Sequence, residues 1–226
     1  MAAVTAIEAA RPRLARLALL GLVFWPLAAL ADGLGYDAPQ EACGLCHGMD
    51  GLSAVARFPR LAGQKAAYIE KQLQDFRAGR RGNDGGQMEA IVTEITEEEV
   101  HEVARYFAGL TPPPPIPAGN ADESAGLAKR LVDQGDSARG IPACASCHLP
   151  GAATARTKPP EGAPHLAAQH PAYIAKQLRD FREGKRANDP TAGMSAIAKA
   201  LSEAEIDALA GFFAAMPRSA HADQTP

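Results

Sequence analysis

The chain has no cysteine outside two five-residue runs, Cys43-Gly44-Leu45-Cys46-His47 and Cys144-Ala145-Ser146-Cys147-His148, which hold all four. None is left for a structural disulfide or an independent zinc cluster. No segment alternates apolar and polar residues over strand length, which excludes a sheet-based core and leaves helices as the building material. No apolar stretch reaches the roughly 20 residues that span a bilayer. The longest, Leu17–Leu30, is broken by Pro26. The chain also lacks a basic excess, with 23 Lys and Arg against 26 Asp and Glu, so nucleic acid is excluded as a partner class. The single tryptophan, Trp25, lies in the apolar stretch.

That stretch follows Arg11, Arg13 and Arg16 and ends at Ala29-Leu30-Ala31. A positive segment, a short apolar segment and a small-residue cleavage signature read as a cleavable secretory signal over residues 1–31. An uncleaved anchor is the alternative, disfavoured by the length of the stretch and by Pro26. Cleavage would start the mature chain at Asp32 and export it to the periplasm. Residues 32–111 carry eight basic and 13 acidic side chains, whereas 112–226 carry 12 of each. Such asymmetry gives a dipole that orients a protein toward charged redox partners, and a plainly solvated acidic face accounts for it equally well.

In a Cys-x-x-Cys-His run, two thiols can add across the vinyl groups of one haem, and the histidine is placed to ligate its iron. A thioredoxin-like pair or half of a zinc site also uses Cys-x-x-Cys, but neither needs the histidine that follows both copies here. The sequence therefore predicts two covalently bound haem c groups, held by Cys43 and Cys46 and by Cys144 and Cys147.

The two runs belong to a longer repeat. The offset is 101 from Cys43 to Cys144 and 105 from Pro59-Arg60-Leu61-Ala62 to Pro164-His165-Leu166-Ala167, so the second copy has four extra residues in between. It stays at 105 from Tyr68 to Asp84 and becomes 106 at Met88 and Met194. The linker Thr111-Pro112-Pro113-Pro114-Pro115-Ile116-Pro117 favours an extended, semi-rigid spacer. The expected organisation is a domain over 32–111, a Pro-rich linker over 112–121, a second domain over 122–217 and a polar tail over 218–226.

Each copy reads as three helical pieces. The first carries the Cys-x-x-Cys-His run. A second spans roughly Ala66 to Ala78, where Ile69, Leu73 and Phe76 form one apolar stripe and Gly79 is placed to end it. The third opens on a capping box, Thr96-x-x-Glu99 or Ser202-x-x-Glu205. Val100, Val103, Ala104 and Phe107, or Ile206, Leu209, Ala210 and Phe213, supply its apolar face.

An electron-transfer haem takes a second axial ligand, commonly methionine where the potential is high. Met1 is the initiator, Met49 lies too close to His47, and Met216 ends the last helix. Met88 and Met194 remain, at equivalent places after Gly82-Asn83-Asp84-Gly85-Gly86 and Asn188-Asp189-Pro190-Thr191-Ala192-Gly193, and a loop can deliver a thioether to iron. His165 and His170 are the competing ligands; with no counterparts in the first copy they read as surface residues. His101 lies off the apolar stripe and His221 in the tail. Pro59 and Pro164 are placed to offer carbonyls to the ligating imidazoles. Tyr68, Tyr173, Arg77, Arg182, Arg81 and Arg186 are repeated candidates for holding haem propionates.

Cys-x-x-Cys-His, Pro-x-Leu-Ala-x-Gln, Tyr-x-x-x-Gln-Leu-x-x-Phe-Arg-x-Gly-x-Arg, a later Met and a capped terminal helix, twice in one exported chain, resemble the dihaem cytochrome c4 family over nearly all of residues 38–216. The resemblance implies an all-α fold of two tandem class I cytochrome c domains, with haems close together and His47/Met88 and His148/Met194 as axial pairs. It also implies a periplasmic one-electron carrier in a respiratory chain, exchanging electrons with quinol-cytochrome c oxidoreductase or a terminal oxidase, and associating with the membrane surface. The sequence separates this reading poorly from an electron-accepting subunit of a dehydrogenase. A dihaem enzyme such as a peroxidase would need an open iron, for which no motif argues. Ala168 stands where the first copy has Gly63, which leaves that turn's geometry open.

Overall fold

The computed structural model describes residues 36–117, 122–149, 162–189, 191 and 193–218. The leader over 1–31 with Trp25, most of the longer loop of the second copy, the end of the linker and His221 lie outside the described residues. Helices α1 (Pro39–His47), α2 (Ala66–Arg77), α3 (Gln87–Val92) and α4 (Glu97–Gly109) come from the first copy, and α5 (Asp122–Asp133), α6 (Ala145–His148), α7 (Pro171–Glu183), α8 (Gly193–Ala200) and α9 (Glu203–Ala215) from the second. The fold is all-α; among the described residues the sole extended pairing is one antiparallel bridge, Asp136 to Ile141. None of these helices is long and apolar enough to cross a membrane.

The apolar stripes bury as their spacing demands. Ile69, Leu73 and Phe76 of α2 meet Val100, Val103, Ala104 and Phe107 of α4, closing a first core that also takes Cys43 and Val92. Ile174 of α7 meets Ile206, Leu209, Ala210 and Phe213 of α9 in a second core, completed by Ala128, Leu131 and Val132 of α5. Both capping boxes are formed: Thr96 Oγ1 accepts from Glu99 N while Glu99 accepts from Thr96 N, and Ser202 and Glu205 repeat the exchange. Gly79 and Gly184 follow α2 and α7 with left-handed φ of 67° and 74°, where a side chain would be strained.

The described residues add α3 and α8 to the three expected helical pieces, and α5 ahead of α6. At six and eight residues α3 and α8 are too short to show periodicity. They are started instead by single aspartates: Asp84 accepts from Gly86 N and Met88 N, and Asp189 accepts from Ser195 N and Oγ.

The turn that differs between the copies has one conformation. Gly63 has φ 64° and Ala168 φ 58°, and their N–H groups donate to the equivalent carbonyls of Phe107 and Phe213 at 2.9 and 2.8 Å. A Cβ on Gly63 would come within 2.8 Å of Pro112 Cγ, whereas Arg218 stands in the equivalent place at the end of the second copy. The linker proline, rather than the turn, demands glycine. Gly63→Ala is expected to cost about 1–2 kcal/mol or more in chemical unfolding, and Ala168→Gly to change stability by less than about 1 kcal/mol.

Arg139 ties the turn after α5 to α9. Its guanidinium donates to Glu205 at 2.7 and 3.0 Å, to Asp136 at 2.7 Å and to the Ala200 carbonyl at 3.1 Å. These bonds hold the Glu205 carboxyl at about 2, below its ordinary 4.5. A depressed carboxyl stabilises the fold fully above pH 4.5 and loses that contribution as pH falls toward 2. Arg139→Ala is therefore expected to lower the thermal midpoint at neutral pH and to flatten its decline over that acid range.

Candidate functional site

On α1, Cys43 lies three residues before Cys46 and four before His47, so both thiols and the imidazole share one helix face. Cys43 and His47 are buried, and Cys46 is exposed. In the second copy Cys144 is the N-cap of the one-turn α6, which ends on a buried His148. Burial pushes the Cys43 and Cys144 thiols up to about 11, so both are un-ionised at neutral pH.

The two histidines are anchored identically. His47 Nδ1 lies 2.9 Å from the Pro59 carbonyl oxygen, and His148 Nδ1 lies 2.9 Å from that of Pro164. A carbonyl only accepts, so each Nδ1 carries the proton and Nε2 keeps its lone pair. Burial pulls both imidazoles below their ordinary value, which keeps them neutral, the form that ligates a metal.

Met88 and Met194 are each the second residue of a helix, α3 and α8, where a loop had been expected. The preceding left-handed Gly85 and Gly86 turn the chain into α3, and Met88 packs against the first core.

The repeated polar residues converge on a network that straddles the two copies about a pseudo-two-fold axis. Arg81 donates to Gln72 of its own copy at 2.8 Å, and to Tyr173 Oη and Gln177 Oε1 of the other at 3.0 and 3.1 Å. Arg186 mirrors it, donating to Gln177 at 2.8 Å, Tyr68 Oη at 3.2 Å and Gln72 at 3.0 Å. Asn83 reaches Gln177 and Asp180, and Asn188 reaches Gln72 and Asp75. A second exchange lies nearby: Gln64 accepts from His165 N and donates to His165 O, while Gln169 does the same with Arg60. Each contact has its symmetric counterpart, as in an isologous dimer interface built within one chain. The linker is fixed to both copies, Pro114 O accepting from Arg60 and Ile116 N donating to Ala214 O.

Three expectations are corrected. His165 and His170 are buried rather than superficial; His170 Nε2 donates to the Ser53 carbonyl at 3.0 Å, and what covers both is the other copy, which pattern along one copy does not reveal. Arg77 and Arg182 stand apart from the propionate candidates. Arg77 serves the carbonyls of Val92 and Ile95 and pairs with Glu97, and Arg182 pairs with Glu203. Arg218, assigned to the tail, donates to Ala62 O at 2.8 Å. Gln64, Gln72, Asn83 and their counterparts were not singled out. Their signal was present as polar residues identical in both copies at one offset.

The residues fit haem on two counts. Each copy offers two thiols and an imidazole with a free Nε2 on one short helix. The guanidinium groups of Arg81 and Arg186 are buried and share the amide oxygens of Gln72 and Gln177, yet neither joins any ion pair among the described residues. Two buried cations so close call for anions, and haem brings carboxylates.

The comparisons agree. Residues 34–111 match the family model described as Cytochrome c. The chain is 39% identical over 189 residues to the cytochrome c4 of Pseudomonas aeruginosa, covering 81% of this chain and 88% of that protein. It is 36% identical over 211 residues to the thiosulfate dehydrogenase electron acceptor of Stutzerimonas stutzeri, covering 85% and 94%. The crystal structure of reduced cytochrome c4 from Pseudomonas stutzeri superimposes with a TM-score of 0.67 at 34% identity, over 79% of this chain and 95% of that one. The chain thus belongs to the dihaem cytochrome c4 family, electron-transfer proteins rather than enzymes, and carries two covalently bound haem c groups.

Proposed function

We propose that His47 with Met88, and His148 with Met194, would ligate the irons of the two haems in a periplasmic respiratory carrier. The observation that carries this reading is the paired imidazole–carbonyl anchor, which aims one Nε2 per copy. Cys43, Cys46, Cys144 and Cys147 form the thioethers. Haem, when bound, supplies a one-electron ferric/ferrous couple, and everything else is positioning. Pro59 and Pro164 fix tautomer and ring plane. Met88 and Met194 would each offer a thioether sulfur to an iron, a ligand that favours high potentials. Arg81, Arg186, Tyr68 and Tyr173 hold propionates at the join of the two copies, neutralising charge that would otherwise be buried alone.

Delivery to a terminal oxidase, with quinol-cytochrome c oxidoreductase upstream, is one end of the route. A relative named as a thiosulfate dehydrogenase electron acceptor, alike over 85% of this chain, favours a dehydrogenase as a donor. The two ends separate in one experiment. Oxidised protein is mixed with thiosulfate dehydrogenase and thiosulfate, and reduced protein with oxidase-containing membranes in air. Reduction in the first mixture places a dehydrogenase upstream, and oxidation in the second places an oxidase downstream. Failure in both would overturn the respiratory reading.

A further inference from the structure

Large exposed hydrophobic side chains among the described residues cluster around one haem-binding run. Leu45, within Cys43–His47, is 74% exposed; Met49 and Val55 are 42% and 50% exposed, and Tyr36 is 36% exposed just ahead of α1. Leu45 lies between the two cysteines of that run, so this surface is continuous with the covalent attachment. Met49 is seated deliberately: its Sδ lies against Gly44, where a Cβ would approach to 2.4 Å. Tyr106 Oη fixes the Met49 carbonyl at 2.8 Å. An open cleft of about 610 Å³ lined by Met49, Asp50, Leu52, Ser53, Ala54 and Arg60 continues the surface.

The haem-binding run of the second copy differs in sequence. Ala145 stands for Gly44 and Ser146 for Leu45. The haem-binding run of the second copy is thus more polar than that of the first at the position between its cysteines. Exposed apolar clusters of this kind mark interaction sites. The surrounding charge is mixed with an acidic excess, Asp37, Glu41 and Asp50 against Arg57 and Arg60, and residues 36–111 carry 12 acidic and eight basic side chains.

We propose that the ridge of Leu45, Met49 and Val55 is the docking face for a redox protein partner whose own apolar contact is rimmed by basic residues, so that intermolecular electrons pass through the first haem. This rests on the electron-carrier reading above. A small apolar contact inside complementary charge gives fast association and ready release, which a carrier needs. Salt is expected to slow the encounter by screening the charges.

The test uses the haem-loaded protein, with lysine-rich mitochondrial cytochrome c as the protein probe and ferricyanide as a small-molecule probe. Leu45→Ser/Met49→Ser, which gives the ridge the polarity of Ser146, is expected to slow second-order electron transfer to the cytochrome c about tenfold. Ferricyanide oxidation should stay unchanged, showing both haems intact. Gly44→Ala, which displaces Met49, is expected to act in the same direction, and Ser146→Asp in the second copy to have no effect. An unchanged rate with the cytochrome c, or an equal loss from Ser146→Asp, would overturn the assignment. So would variants whose only change is loss of self-association in sedimentation, since the ridge would then join two copies of this chain. Failure of ferricyanide to oxidise the unmodified protein would instead overturn the carrier reading itself.

Discussion

In Met194→Ala, carbon monoxide is expected to bind one of the two ferrous haems while the other ignores it, and both haems remain covalently attached. Attachment depends on Cys144 and Cys147, and the proximal imidazole on the His148–Pro164 hydrogen bond; neither involves α8. The helix itself is started by Asp189 holding Ser195, so truncating Met194 leaves its backbone supported. The second copy is expected to stay folded, with a loss of no more than about 2 kcal/mol for a partly buried methionine. Met88→Ala should give the reciprocal result, since Asp84 starts α3 in the same way. Carbon monoxide difference spectra with haem counted per chain check both variants. Loss of attachment, or no change in either spectrum, would remove these methionines from the iron sites.

Arg81→Ala is expected to destabilise the protein at the join of the two copies by about 3 kcal/mol. The side chain is buried, stacks 4.5 Å over Phe76 and donates to Gln72, Asn83, Tyr173 and Gln177. Its removal takes away four charge-assisted hydrogen bonds, each worth about 1.5–3 kcal/mol; Gln72 and Gln177 keep Arg186 and the asparagines as donors, whereas Asn83 Oδ1 loses its partner. Lysine should not rescue, because one ammonium lacks the fork that reaches both copies at once. Arg186→Ala should match it by symmetry. The double variant should cost less than the sum of the singles, since both guanidiniums share Gln72 and Gln177 and removing one relieves the other of a like charge. Guanidinium chloride unfolding followed by helical circular dichroism and by haem absorbance measures each term. Strict additivity would contradict a shared network.

What could be read along the chain and what could not follow a physical divide. The Cys-x-x-Cys-His runs, the stripes of α2 and α4 and the boxes at Thr96 and Ser202 are local, set by spacing within a turn or two of helix, and were legible. Helices α3 and α8 were not, because six or eight residues give no period and their start depends on one aspartate bending back. The roles of Gln64, Gln72, His165 and His170 were hidden for a different reason. Polar residues at those spacings look solvated until the second copy covers them. For Gln64 and Gln72 the duplication itself held a clue, since both are kept at one offset in the two copies and each finds partners in the other copy; His165 and His170 are not repeated and carried no such signal. Gly63 shows the opposite case, a difference between copies set by the neighbouring proline rather than by the turn.

The most direct measurement is the absorption spectrum of the reduced, purified protein before and after carbon monoxide, with haem counted per chain. Two haems per chain and a spectrum unmoved by carbon monoxide are the result expected if His47/Met88 and His148/Met194 close both irons. Carbon monoxide binding to either haem of the unmodified protein would contradict it, leaving an iron open to substrate and a carrier role unsupported.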